Sequence, residues 1–153
     1  MDVIKDNTTG LTGLEQLRAL MAAGTPAPIG VTMGFTLVRI EEGLAVFEGR
    51  PGRSVYNPIG SVHGGYAATL LDSACGCAVH SRLTAEQGYT TLELKIAYHR
   101  PLSDASGTVR AEGRLLSFGR RAAFAEGKLF DEQGRLCASA TSTLLVFGRP
   151  VAP

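Results

Sequence analysis

Charge is scarce in one stretch of this chain and in small supply overall. The 153 residues hold 15 Lys and Arg against 14 Asp and Glu, a net charge of +1. Nothing in that balance draws the chain to nucleic acid or to a membrane surface. Tryptophan is absent, and cysteine is limited to Cys75, Cys77 and Cys137. Three is an odd number for a disulfide framework, and Cys75-Gly76-Cys77 has neither redox nor zinc-site spacing. These cysteines read as reduced thiols packed like small apolar residues, as in a cytoplasmic protein. The N-terminus lacks a basic stretch followed by an apolar run, so no signal peptide is expected. No apolar run is long and uninterrupted enough to span a membrane.

What the chain does hold is 44% hydrophobic residues and 19 glycines. The length suits a single domain, 1–153, with residues 1–11 expected to be a loose lead-in. Leu14, Leu17, Leu20 and Met21 recur at helical spacing, predicting a short helix from Thr12 to Ala23 with Thr12 as N-cap. Gly24 to Pro28 ends it. Met33–Ile40 and Leu44–Gly49 read as a hairpin about Glu41-Glu42-Gly43. A loop from Gly52 to Ser61 leads into a helix expected from Gly64 to about Arg82. Leu92, Leu94, Ile96 and Tyr98 then alternate with Glu93, Lys95, Ala97 and His99, as in a half-buried strand. Three more strands follow, Val109–Leu115, Ala122–Phe130 and Leu136–Phe147, which predicts four strands in antiparallel succession after the long helix. That helix is too apolar to lie in water, so one curved antiparallel sheet must cover it, an α+β architecture.

Between Arg53 and Arg82 the only Asp, Glu, Lys or Arg is Asp72. A lone carboxylate in an apolar helix is costly to desolvate unless it is satisfied by hydroxyls and backbone, or used. Upstream, Gly64-Gly65 opens the same helix. Backbone N–H groups there have no intrahelical acceptor, and the helix dipole favours negative charge. Such a turn suits an oxyanion, although paired glycines also serve plain close packing. Asp72 lies eight positions beyond Gly64, about 12 Å along the axis. One carbonyl cannot touch both groups on one helix. Two antiparallel copies can bring Gly64 of one chain to Asp72 of the other, as a two-fold dimer requires.

The run N-P-x-G-x-V-H-G-G-Y-x-A-T-L-L-D, Asn57 to Asp72, resembles the signature of hotdog-fold acyl-CoA thioesterases. It is most similar to the phenylacetate-pathway (PaaI-type) branch, related to the 4-hydroxybenzoyl-CoA thioesterases. The similarity runs from about Met33 to Phe147 and includes Thr90–Leu94 and Tyr98-His99-Arg100-Pro101. It implies a hotdog fold, a curved six-stranded antiparallel sheet wrapped around a long central helix. It also implies roles. Asp72 matches the catalytic carboxylate, as general base or nucleophile. The Gly64 N–H matches the donor to the thioester carbonyl, with Gly65 beside it at the substrate. Asn57 matches an amide that binds the attacking water or the leaving sulfur. His63 matches a position supporting the helix entrance; capping the loop by donating to a backbone carbonyl is the simpler reading for it. Thr91, or Thr90, matches a hydroxyl near the carboxylate. For coenzyme A, the resemblance points to Arg100 and to the turn Gly119-Arg120-Arg121, which reads equally as a solvated basic turn. The implied reaction is hydrolysis of an aryl- or medium-chain acyl-CoA, with water as co-substrate, no cofactor and no metal. A homodimer is implied, and a dimer of dimers beyond it. A non-catalytic acyl-CoA sensor and a hotdog hydratase or dehydratase are the alternatives.

Overall fold

The apolar run about Asp72 folds as one helix, α3 (Gly64–His80), against one face of a single sheet. This computed structural model describes residues 10–148. Of the lead-in expected at residues 1–11, residues 1–9 lie outside them. Before α3 come α1 (Gly13–Ala22), α2 (Pro28–Met33), β1 (Phe35–Glu41) and β2 (Leu44–Gly49). After it come β3 (Gln87–Tyr98), β4 (Val109–Phe118), β5 (Ala122–Phe130) and β6 (Leu136–Gly148). The sheet is antiparallel, in the order β1-β2-β4-β5-β6-β3. This is the α+β, hotdog arrangement that the sequence implied.

Helix α1 starts where expected. Thr12 and Glu15 form a reciprocal capping box, each side chain taking the other's backbone N–H. The strand expected from Met33 begins later. Pro28 occupies the first turn of a short helix that the β-branched residues in Pro28–Met33 disguise, and Gly34 closes it at φ 70°. The expected succession of four strands also fails at one point. β4, β5 and β6 are consecutive neighbours, but β3 pairs with β6 at the far edge while β4 pairs with β2. The chain crosses the sheet in α3, so β3 enters on the side away from β2.

Two glycines set the depth of α3. Gly113 of β4 and Gly127 of β5 are cross-strand partners on the face beneath the helix. A Cβ on Gly113 would lie 2.1 Å from the Ala74 carbonyl oxygen, and one on Gly127 would lie 3.1 Å from Cys75 Sγ. At Gly113 the helix backbone therefore rests directly on the strand, and at Gly127 helix side chains fill the space, with Leu70, Leu71, Ala74, Cys75 and Ala78 fully buried about the contact. α3 ends at His80, two residues before the expected Arg82. The Ser81 hydroxyl donates to the Ala78 carbonyl at 2.7 Å and accepts from the Gly43 N–H at 2.7 Å, tying the helix end to the β1–β2 turn.

Strand β3 carries the largest departure from the expected pattern. Its pairing with β6 slips at Leu92, between Thr91 and Glu93. An extra residue at that point reverses the alternation. Leu94 and Ile96 pack on the core as expected, but Leu92 is 61% exposed and Tyr98 57% exposed. Thr91 takes the inward place that unbroken alternation reserves for Leu92. Another local conflict lies at Tyr66, whose buried hydroxyl finds no hydrogen-bond partner among the described residues and whose pKa burial pushes up to about 12.

Gly113→Ala is expected to lower unfolding free energy by about 1–3 kcal/mol in urea titration, because backbone cannot yield to the added methyl. Tyr66→Phe, which removes an unsatisfied buried hydroxyl, is expected to leave the urea midpoint unchanged or raise it.

Candidate active site

The loop Asn57–Ser61 holds itself shut. The Asn57 Oδ1 accepts from the Ile59 N–H at 3.1 Å and the Ser61 N–H at 3.4 Å, and its Nδ2 donates to Ser61 Oγ at 3.1 Å. This side chain builds the loop, with one amide hydrogen left over. The loop is anchored by Val62 N–H to the Leu102 carbonyl and by His63 N–H to the Val55 carbonyl. Tyr56 braces it from outside, donating to Asp104 Oδ1 at 2.9 Å and accepting from the Asp104 N–H at 2.8 Å.

His63 is the N-cap of α3, and its role reverses the expected one. Instead of donating to a carbonyl, Nδ1 accepts the Gly65 N–H at 2.8 Å. That bond requires a neutral ring with its proton on Nε2. It also explains Gly65: a Cβ there would lie 2.9 Å from His63 Nδ1. The Gly65 N–H is thus committed to the cap. Gly64, one place earlier, directs an N–H that has no acceptor in its own helix. Its carbonyl accepts from the Tyr98 hydroxyl at 2.9 Å, and a Cβ on Gly64 would lie 3.0 Å from that same oxygen. Tyr98 is thus a wall of the site. Its alternation in β3 marked a core residue, and nothing local marked a contact with the helix start.

His63, Gly64, Tyr98 and Arg100 surround one cavity of about 290 Å³ at the N-terminal end of α3. The structure thus brings three of the expected site residues, His63, Gly64 and Arg100, to one cavity. Asp72 is not among them. It stands half-buried about 12 Å farther along α3. There Thr91 Oγ1 donates to Asp72 Oδ1 at 3.0 Å. Thr91, rather than the exposed Thr90, is the hydroxyl at the carboxylate. The slip at Leu92 puts it there.

The turn Gly119-Arg120-Arg121 lies elsewhere. Its residues are exposed, and the Gly119 N–H is committed to the Ala122 carbonyl at 2.8 Å. The adjoining Phe118 ring lies 6.0 Å from the guanidinium of Arg82, just past the C-terminal end of α3. Within one chain, Arg100 and this turn therefore mark opposite ends of a helix about 25 Å long.

The cysteines near Asp72 are poor nucleophiles. Burial, then the Asp72 charge, pushes both the Cys75 and the Cys77 thiol from 9.0 up to about 12. The Tyr89 hydroxyl, which packs over Gly76, is pushed up as well, first by burial and then by its neighbours Cys77 and Asp72.

The sequence profile of the Thioesterase superfamily matches residues 59–138. The proofreading thioesterase EntH of Klebsiella pneumoniae is 34% identical over 118 residues, which cover 76% of this chain and 83% of EntH. A mutant of the phenylacetic acid degradation protein PaaI from Thermus thermophilus superposes with a TM-score of 0.71 at 28% identity, covering 78% of this chain and 98% of that one. The smu.793 protein of Streptococcus mutans, solved bound to acetyl CoA, superposes with a TM-score of 0.68 at 26% identity, over 76% of this chain and 90% of that one.

A raised thiol pKa favours the folded state fully below pH 9.0, and that contribution is lost as pH rises toward about 12. Thermal unfolding followed from pH 8 to 12 is expected to show a midpoint that falls above pH 9. The fall should be shallower in Cys75→Ala/Cys77→Ala.

Proposed function

The chain belongs to the thioesterase superfamily, and from that premise we propose that it hydrolyses acyl-CoA to free acid and CoA at a site completed by two copies of the chain. The observation that carries the reading is the Thr91–Asp72 hydrogen bond, set about 12 Å from the donor end of the same helix. A carboxylate with one oxygen held by a hydroxyl keeps the other for water.

In this reading Asp72 is the general base. It takes a proton from water as the water oxygen bonds to the thioester carbonyl carbon. The carbonyl oxygen gains negative charge facing the Gly64 N–H of the other copy, at the positive end of that helix. As the tetrahedral intermediate collapses, the C–S bond breaks and the thiolate recovers the proton from Asp72. Asn57 offers its remaining amide hydrogen to the water or the sulfur. A thioester carbonyl is electrophilic enough for these groups to suffice. His63 serves by holding the helix start in place and does not exchange protons with substrate.

The two-copy arrangement has support on the sheet as well. β3 is an edge strand, with Leu92 and Tyr98 exposed along it, and an open apolar edge invites pairing with another strand. Antiparallel apposition of two α3 helices about a two-fold axis carries the Gly119–Arg121 turn of one chain toward the Gly64 and Arg100 end of the other. The cations that stand apart in one chain then gather where the phosphates of CoA would lie. Pairing of such dimers into a tetramer is the further assembly that the family resemblance favours. No helix among the described residues is long and apolar enough to cross a membrane.

Asp72→Asn is expected to abolish thiol release from acyl-CoA while leaving the circular dichroism spectrum and thermal midpoint near those of the parent. Thiol release by Asp72→Asn at the parent rate would remove the carboxylate from the mechanism. Single turnover in ¹⁸O-water is expected to label the product acid. Label found first in the Asp72 carboxylate would assign it as nucleophile instead.

A further inference from the structure

Gly76 stands in the interior of α3, where glycine is costly relative to alanine. A side chain from the neighbouring strand accounts for it. A Cβ on Gly76 would lie 2.8 Å from the Tyr89 hydroxyl oxygen and 3.2 Å from the ring carbon Cε2. The helix thus gives up a side chain at the point where this hydroxyl arrives. The ring that delivers it is braced. His80 meets it edge to face, with centroids 5.6 Å apart and planes at 86°, and Gln16 Oε1 in turn lies 2.8 Å from His80 Nε2.

The hydroxyl lands beside the candidate base. Gly76 lies one turn beyond Asp72, about 6 Å along the axis and about 40° round it, so the two share a helix face. On β3, Tyr89 and Thr91 are two residues apart and both precede the slip at Leu92. They share a strand face at a spacing of about 7 Å. The two spacings nearly match. Thr91 on Asp72 and Tyr89 on Gly76 are therefore successive rungs between strand and helix.

The rungs differ in one respect. Thr91 donates to Asp72 Oδ1 at 3.0 Å, whereas the Tyr89 hydroxyl makes no hydrogen bond to any described residue. Nor is it walled off from solvent: among the described residues, Tyr66 alone has a fully buried side-chain polar atom without a partner. A tyrosine hydroxyl at a half-buried place finds a partner, and where the protein offers none, water does. Burial, then Cys77 and Asp72, keeps this hydroxyl protonated and so a donor. A water that makes two hydrogen bonds of about 2.8 Å spans roughly 5.6 Å, close to one helical turn.

We propose that the Tyr89 hydroxyl and the free oxygen of Asp72 hold one water between them, and that this water attacks the thioester. The proposal rests on the acyl-CoA reading of the site for the identity of the reaction. The water accepts from Tyr89 and donates to Asp72 Oδ2, which leaves one lone pair for the carbonyl carbon. Its proton passes to Asp72 as the C–O bond forms, and Tyr89 keeps its own proton throughout. Thr91 fixes the carboxylate, and Tyr89 fixes where along the helix the water sits.

Tyr89→Phe removes the hydroxyl and keeps the ring. High-resolution crystal structures of the full-length protein are expected to show a water within about 3.2 Å of both Asp72 Oδ2 and the Tyr89 oxygen in the parent, and none there in the variant. Thiol release from acyl-CoA by the variant is expected to show kcat lowered about tenfold with KM unchanged, since one hydrogen bond to the attacking water is lost. The thermal midpoint should hold or rise. No water between the two groups in the parent, or a variant kcat equal to that of the parent, would overturn the proposal. A midpoint that falls together with kcat would overturn it too, because the hydroxyl would then serve the fold. Failure of the hydrolase reading looks different: the parent holds the water but releases no thiol from acyl-CoA, and the water's part in attack falls with that reading.

Discussion

The contact between α3 and the bare backbone of two strands governs this structure. Gly113 and Gly127 face each other across β4 and β5, and the Ala74 carbonyl rests where the first would carry a methyl. Because neither strand puts a side chain there, the helix lies deep in the concave face of the sheet, and its rotation is set by the small residues that fit. Leu70, Leu71 and Ala74 turn down into the core. Asp72 is thereby turned away from the sheet, toward the side that β3 covers in part. The position of the carboxylate thus follows from packing at residues with no chemistry of their own.

A second constraint is the rigidity of the helix itself. Eight residues separate the donor end of α3 from its carboxylate, and no side-chain rotation closes about 12 Å. Each end has been built with care. The start has His63 as cap, Gly65 as the residue that lets the cap close, and Tyr98 against Gly64. The middle has Thr91 on Asp72. Two half-sites on one stiff rod make sense when a second rod runs the other way beside it, since an isologous pair then completes both sites at once.

Much of this was legible in the sequence because it depends on local signals. The isolated charge of Asp72, the glycines that open its helix, the Thr12 cap and the turn at Gly43 all act within a few residues. What was not legible depends on partners far along the chain. The bulge at Leu92 is invisible because Leu92, Leu94, Ile96 and Tyr98 form an unbroken alternation, and only pairing with β6 breaks it. That break decides that Thr91 rather than Thr90 reaches Asp72. The helix Pro28–Met33 was hidden by residues that favour strands, although Pro28 and Gly34 bracket it. His63 was rightly placed as a cap, but the direction of its hydrogen bond follows from the helix start, where the Gly65 N–H needs an acceptor. The destination of β3 at the far edge required knowing which way α3 crosses the sheet.

The claim that the site is shared between two chains can be tested by subunit mixing. Asp72→Asn removes the carboxylate. Gly64→Pro removes the N–H at the first helical position, where proline suits the helix; pairing it with Tyr98→Phe eases the crowding at the new ring. Each variant alone should release no thiol from acyl-CoA. Mixed, unfolded and refolded together in equal amounts, they should recover about a quarter of parent activity, since half the dimers are mixed and each mixed dimer holds one complete site. No recovery in dimers verified as mixed would contradict the account, because it would mean that Gly64 and Asp72 of the same chain serve the same substrate.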